Sequence, residues 1–251
     1  MAPESSPFVV KHSSFKDIIG PSPSISLCTE SSNGSSIFHE ACVYLASTSS
    51  LYVTSNIIQN DSGEKHIVVS KIDVSNPSAY KVETADTGLV MANGGVNYQD
   101  GILFCDQGNM SHSSALVYVR PNSNGTYSRQ HIVDEFDGIP FSSLNDVVIA
   151  KDGAIWFTDP PYGSEQGFRP PPQLPAMVYR FDPASGEVRA MADGFGRPNG
   201  LAFSPDESVL YVTVCLDRLV PWESIDGVCC RTLITFMAMA RETLHALQRC
   251  K

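Results

Sequence analysis

The sequence predicts an all-β fold, a β-propeller in which four-stranded sheets stand around a central channel. Three observations lead there. Four short apolar strands look alike, with ends at Ser55, Asp106, Asp159 and Val214 that are 51, 53 and 55 positions apart. Turn-forming residues precede at least three of them, as in Gln99-Asp100-Gly101, Lys151-Asp152-Gly153 and Ser204-Pro205-Asp206-Glu207. Helical periodicity is absent from residues 40–214. Units of four strands recurring about every fifty residues have the spacing of propeller blades. A sandwich or barrel with fortuitous spacing is the alternative.

Each unit is then read strand by strand. Upstream of the turns lie the inner strands, residues 41–45, 95–98, 147–150 and 201–203. The strands after the turns, 50–55, 101–106, 154–159 and 209–214, are rich in aromatic and β-branched residues, as buried strands are. Asp-Gly between apolar runs is a hairpin signal, because Gly accepts a positive φ in a tight turn. A second hairpin follows in three units, over residues 67–82, 115–127 and 177–188. Residues 40–214 thus supply three complete units and half of a fourth.

With 251 residues, 42% hydrophobic and 18% charged, the chain has ample material for a packed core and is not of disordered composition. Its 17 basic and 27 acidic residues give a net charge of −10. No basic run is present, so nucleic acid and anionic membranes are not expected partners. No stretch approaches the roughly 18 apolar residues of a membrane span. The first residues lack a basic region followed by an apolar run, and a secretory leader is not expected. The seven cysteines form no C-x-x-C pair. A cytoplasmic protein with free thiols is the expectation.

One oxygen-bearing side chain stands at the head of each inner strand: Glu40, Asn93, Asn145 and Asn199, at intervals of 53, 52 and 54. Equivalent positions on successive blades point at one axis, and a ring of carboxylate and amide oxygens is the donor set of a hard cation such as calcium. Asn-Gly and Asn-Asp are also ordinary turn residues, above all at Asn93 before two glycines. Glu40 is harder to explain so, because a glutamate heading an apolar strand is costly to bury without a partner.

Residues 145–163, NDVVIAKDGAIWFTDPPYG, resemble the gluconolactonase branch of the senescence-marker-protein (regucalcin) family. Residues 197–206, RPNGLAFSPD, with LYVT at 210–213, resemble it too. HEACVY at 39–44 looks like that family's opening glutamate strand, closest to fungal lactonase-like members. The resemblance covers about residues 35–214. It implies a six-bladed propeller, here incomplete at about four blades, with a divalent metal in the channel. Calcium is the expected ion, with zinc, magnesium or manganese as alternatives.

The resemblance assigns Glu40 and Asn199 to the metal, and Asn145 to metal or substrate. Asn93 is carried as a second substrate-side candidate, without a transferable family role. The family's later metal-binding aspartate, usually its general base, is not found, which leaves the catalytic residue unknown. His112 is a substitute candidate, since imidazole suits proton transfer near neutral pH; a solvated loop histidine is the other reading. Where some members carry a sugar-binding arginine two residues before the Asn-Asp asparagine, this chain has Ser143, which puts D-glucono-lactone in doubt. Residues 169–175, RPPPQLP, read as a stiff loop over the channel mouth or a polyproline ligand. No Gly-x-Ser-x-Gly elbow, phosphate loop or dinucleotide fingerprint occurs.

The expected organisation is an N-terminal segment (1–34), a partial propeller (35–214) and an off-family tail (215–251). Residues 231–248 have helix-forming content and no Gly or Pro. At Val214 the family usually has Asp, and the next channel ligand would fall near position 252, so a shortened gene product is expected. The expected activity is metal-dependent opening of a small-molecule lactone by water. A non-catalytic propeller that binds calcium or a protein partner, and a propeller enzyme of other ester chemistry, are the alternatives.

Overall fold

A computed structural model describes residues 8–25, 27–30, 37–76 and 78–215, together with the backbone of 232–240 and 243–247. A short helix, α1 (Ser14–Ile19), precedes the sheets. The first sheet contains β1 (Glu40–Leu45) and β2 (Ser50–Thr54). A ribbon of β3 (Ile58–Gln59) and β4 (Lys65–His66) follows, before β5 (Val69–Asp73) and β6 (Lys81–Thr84) complete the sheet. The second sheet is β7 (Ala92–Tyr98), β8 (Gly101–Asp106), β9 (Ala115–Pro121) and β10 (Tyr127–Val133).

A second ribbon, β11 (Glu135–Phe136) and β12 (Ile139–Pro140), leads to the third sheet. That sheet is β13 (Val147–Ile149), β14 (Ile155–Asp159), β15 (Met177–Asp182) and β16 (Glu187–Ala192), with α2 (Tyr162–Glu165) between β14 and β15. The fourth is β17 (Pro198–Phe203), β18 (Val209–Cys215), β19 (Thr232–Ala240) and β20 (Thr243–Leu247). In all four sheets the strands lie in chain order and pair antiparallel, as the fifty-residue repeat predicts.

Two expectations change. Within the 231–248 stretch, the described residues 232–240 and 243–247 are strands rather than a helix: β19 pairs with β18 from Val209↔Ala238 to Cys215↔Thr232, and β20 pairs with β19. Composition favours a helix there, but an open edge on β18 offers backbone partners to a segment containing Thr232, Ile234, Thr235 and Phe236, and context outweighs propensity. The half unit becomes a full sheet. Nor are all the thiols free. Cys28, Cys42 and Cys105 are, whereas Cys215 is disulfide-bonded.

The long apolar runs are explained by sheets packed on both faces. Along β8, Ile102 and Phe104 enter the core shared with the first sheet, with Val43, Tyr52 and Val117. The alternate residues Leu103 and Cys105 enter the core shared with the third sheet, with Phe141, Leu144, Phe157 and Tyr179. On β14, Ile155 and Phe157 face that same core while Trp156 packs toward the fourth sheet with Leu201, Leu210 and Val212. Period-2 alternation therefore survives, but both faces are buried. Each such Leu or Phe contributes about 1.5–3 kcal/mol.

The inner strands do not start smoothly. Register shifts fall between Glu40 and Val43 in β1, Ala92 and Gly95 in β7, and Pro198 and Leu201 in β17. Bulges of this kind bend a strand and re-aim its side chains. The one in β1 places Ala41 (φ 68) and Cys42 (φ 44) consecutively in left-handed backbone, directly after Glu40.

Candidate active site

Three of the four predicted residues, Glu40, Asn93 and Asn199, lie at these bulges and Asn145 just before β13, and hydrogen bonds between neighbouring sheets connect this region. Glu40 pairs across the ladder with Thr54, whose Oγ1 donates to the Asn93 carbonyl at 3.2 Å. Asn145 Nδ2 donates to Asn93 Oδ1 at 3.3 Å, and the Gly94 N–H donates to the Asn145 carbonyl at 2.9 Å. Thr158 Oγ1 then donates to the Asn199 carbonyl at 2.8 Å, repeating the Thr54 contact one pair of sheets further on. Asn93 and Asn199 lie within strands rather than in turns.

One residue at this junction escaped the sequence reading. Asp146 Oδ2 accepts the Leu201 N–H at 2.8 Å, and its own N–H donates to Thr158 Oγ1 at 3.1 Å. A Cβ on Gly94 would come within 2.7 Å of Asp146 Oδ1, so only glycine lets the second sheet approach this carboxylate. Asp146 therefore touches the inner strands on either side of its own. Its signal was present in the Asn-Asp pair, but attention to one oxygen donor per strand passed over it.

Two carboxylates face one another electrostatically. Burial pushes Asp146 up to about 6; the Leu201 and Val147 N–H groups oppose the rise and the Glu40 charge adds to it. Burial also raises Glu40, against the pull of His39, whose Nε2 lies 3.7 Å from Glu40 Oε1. A pair of desolvated like charges is relieved by a cation.

The amides fit the same conclusion. The Nδ2 of Asn145 is spent on Asn93, and that of Asn199 on Tyr162 Oη at 3.2 Å, with Cys215 Sγ at 3.8 Å. That leaves both Oδ1 atoms as the oxygen donors a hard cation takes. Glu40, Asn145 and Asn199 are thus oxygen donors of the type a hard divalent ion takes, with a single formal charge among them. No group of three His, Cys, Asp or Glu side chains suited to a metal occurs among the described residues.

Asp159, at the end of β14, is a different kind of carboxylate. It is fully buried, and its oxygens accept the Ser142 and Ser143 N–H groups at 2.9 and 2.8 Å. Asp106 does the same for Val90 and Met91 at 2.9 and 2.8 Å. The aspartate expected in place of Val214 corresponds to these positions, where the carboxylate is a strut for the chain entering the inner strand. Ser143, in the arginine's place, donates from Oγ to the Pro160 carbonyl at 2.8 Å and accepts the Gly163 N–H at 2.9 Å.

His112 is exposed, with Nδ1 3.1 Å from Asn109 Oδ1, on the loop between β8 and β9. It is not among the residues joined at the inner strands. Tyr162 lies in α2, and its Oη is 3.2 Å from Asn199 Nδ2.

Comparison with known proteins identifies the family. The sequence profile of the SMP-30/Gluconolactonase/LRE-like region matches residues 39–226, twelve positions beyond the end of the resemblance at 214. The chain belongs to this family. Lactonohydrolase OryL of Aspergillus oryzae is 31% identical over 213 residues, which are 82% of this chain and 46% of that protein. A gluconolactonase of Zymomonas mobilis is 41% identical over 112 residues, covering 41% of this chain and 28% of that protein. The structure of a gluconolactonase from Xanthomonas campestris superimposes with a TM-score of 0.59 at 27% identity, over 84% of this chain and 61% of that one. The chain thus spans less than half the length of the curated relatives it matches. The family assignment accounts for an all-β, propeller-type architecture. No helix among the described residues is long and apolar enough to cross a membrane.

Proposed function

We propose that this chain opens a lactone by hydrolysis, with a divalent cation, calcium first among the choices, held by Glu40, Asn145 and Asn199. The observation that carries the reading is the set of hydrogen bonds that ties Asn93, Asn145, Asp146 and Asn199 together across neighbouring sheets, with Glu40 in the electrostatic field of Asp146, in a member of a family whose matched relatives are lactone hydrolases. When bound, the cation would polarise the lactone carbonyl and stabilise the oxyanion formed by water attack.

The chain's own groups do the rest. Asn93 and Asn145, linked to each other, orient the substrate. Asp146 is the carboxylate left to take the proton from the attacking water once Glu40 is committed to the ion. His112 has no role in this scheme.

A lactone panel assayed with and without chelator tests the proposal, with cation binding followed separately by calorimetry. Chelator-sensitive hydrolysis supports it. Cation binding without turnover favours a non-catalytic propeller, and turnover of other esters alone favours a different hydrolase chemistry on the same scaffold.

A further inference from the structure

Two loops overhang the end of the molecule where the inner strands begin. Ala92 pairs with Asp106 and Val147 with Phe157, so the loops leaving β8 and β14 emerge beside Asn93 and Asn145. Between them lies a cleft of about 190 Å³, with His112 and Ser113 on one side, Pro171 and Gln173 on the other, and Ser142 and Arg169 among its lining residues. Ser142 stands three residues before Asn145, a tether of at most about 10 Å of extended chain.

Arg169 joins the two walls. It is 7% exposed, and its guanidinium donates to four carbonyls. Nε reaches Ser142 and Nη2 reaches Phe141, both at 2.9 Å. Nη1 reaches Asn109 at 2.9 Å and His112 at 2.7 Å. A rigid planar fork makes four such bonds at once; a lysine ammonium has three donors on one atom and cannot. With those donors spent internally, the cleft presents hydroxyl, imidazole and amide side chains at Ser113, His112 and Gln173. Its volume is below the roughly 300–1,000 Å³ of a pocket for a drug-sized ligand. It suits an uncharged, hydrogen-bonding substituent rather than an entire substrate.

We propose that this cleft receives the hydroxylated part of the lactone remote from the reacting carbonyl, and that Arg169 is the positioning residue that sets its width. The proposal rests on the lactonase reading and adds a subsite and its positioning residue.

The test compares D-glucono-δ-lactone with unsubstituted δ-valerolactone, using the full chain and Arg169→Lys. The expected result is an approximately tenfold fall in the ratio of kcat/KM for the hydroxylated over the plain lactone, carried by KM, with terbium binding at the cation site unaltered. An equal loss on both lactones, or an unchanged ratio, overturns the proposal. If Arg169→Lys fails to fold, Ser113→Trp, an exposed change that fills the cleft, must depress the ratio in the same way. If the unaltered chain opens neither lactone, the lactonase reading fails separately. The cleft is then judged by NMR titration with neutral D-glucitol: shifts at 109–113 and 169–173 that Ser113→Trp abolishes support it, and their absence overturns it.

Discussion

Asp146 and Asp159 flank two paired strands of the same sheet, and burial pushes both up to about 6. Their surroundings differ in one respect. Asp159 gives its oxygens to two N–H groups of its own blade and is sealed from solvent. Asp146 gives one oxygen to the next blade, abuts Gly94 of the preceding one and shares its field with Glu40. A raised carboxylate is therefore no signature of chemistry in itself. What separates strut from site is whether the hydrogen bonds close within one sheet or reach across several.

The sharpest way to break this contrast is Asp159→Ala. It orphans two buried N–H donors and should cost about 2–5 kcal/mol in denaturant unfolding. A loss below about 1 kcal/mol would make Asp159 no strut at all. A pH series separates the carboxylates next. Because the folded pKa of Asp159, about 6, lies above its ordinary 3.8, the native state holds the proton more tightly. Its contribution is fully present below the ordinary value and is lost as pH rises to about 6, roughly 3 kcal/mol in all. Asp159→Asn should flatten that part of the stability–pH curve; an unchanged slope would place the titration elsewhere.

On the other side of the comparison, Glu40→Gln should weaken terbium or calcium binding about 100-fold in calorimetry while shifting the melting temperature by only a few degrees. Equal affinity would remove Glu40 from the ion. The smallest effect belongs to the recurring threonine. Thr158→Val loses the bonds to Asn199 and Asp146, expected to cost about 1–3 kcal/mol, and Thr54→Val, with one bond to Asn93, about 1 kcal/mol. If the two variants were equally stable, the Asp146 junction would carry no more than its counterpart between the first two sheets.

The repeat, its strands and the four heads at Glu40, Asn93, Asn145 and Asn199 were legible because each depends on local order: an aromatic and β-branched run, a turn, and an interval. Asp146, Thr158 and Arg169 were not, because each has a partner 41 to 60 positions away that only packing of one sheet on the next supplies. The stretch entering β19 and β20 misled for a related reason. Its residues favour a helix in isolation, and the deciding partner is the edge of β18. His112 lies on the loop between β8 and β9, beside Asn109, and is not hydrogen-bonded to the inner-strand heads.

The pair of side-chain-bearing residues in left-handed backbone after Glu40 has a mechanical consequence. Ala41 and Cys42 stand where glycine would rest without steric penalty, so the glutamate is held on a stretch of chain under tension. Replacing Ala41 with glycine would relax that tension and slacken the leash on the carboxylate together, so a sturdier protein with a less firmly aimed Glu40 is the outcome built into this turn of the chain.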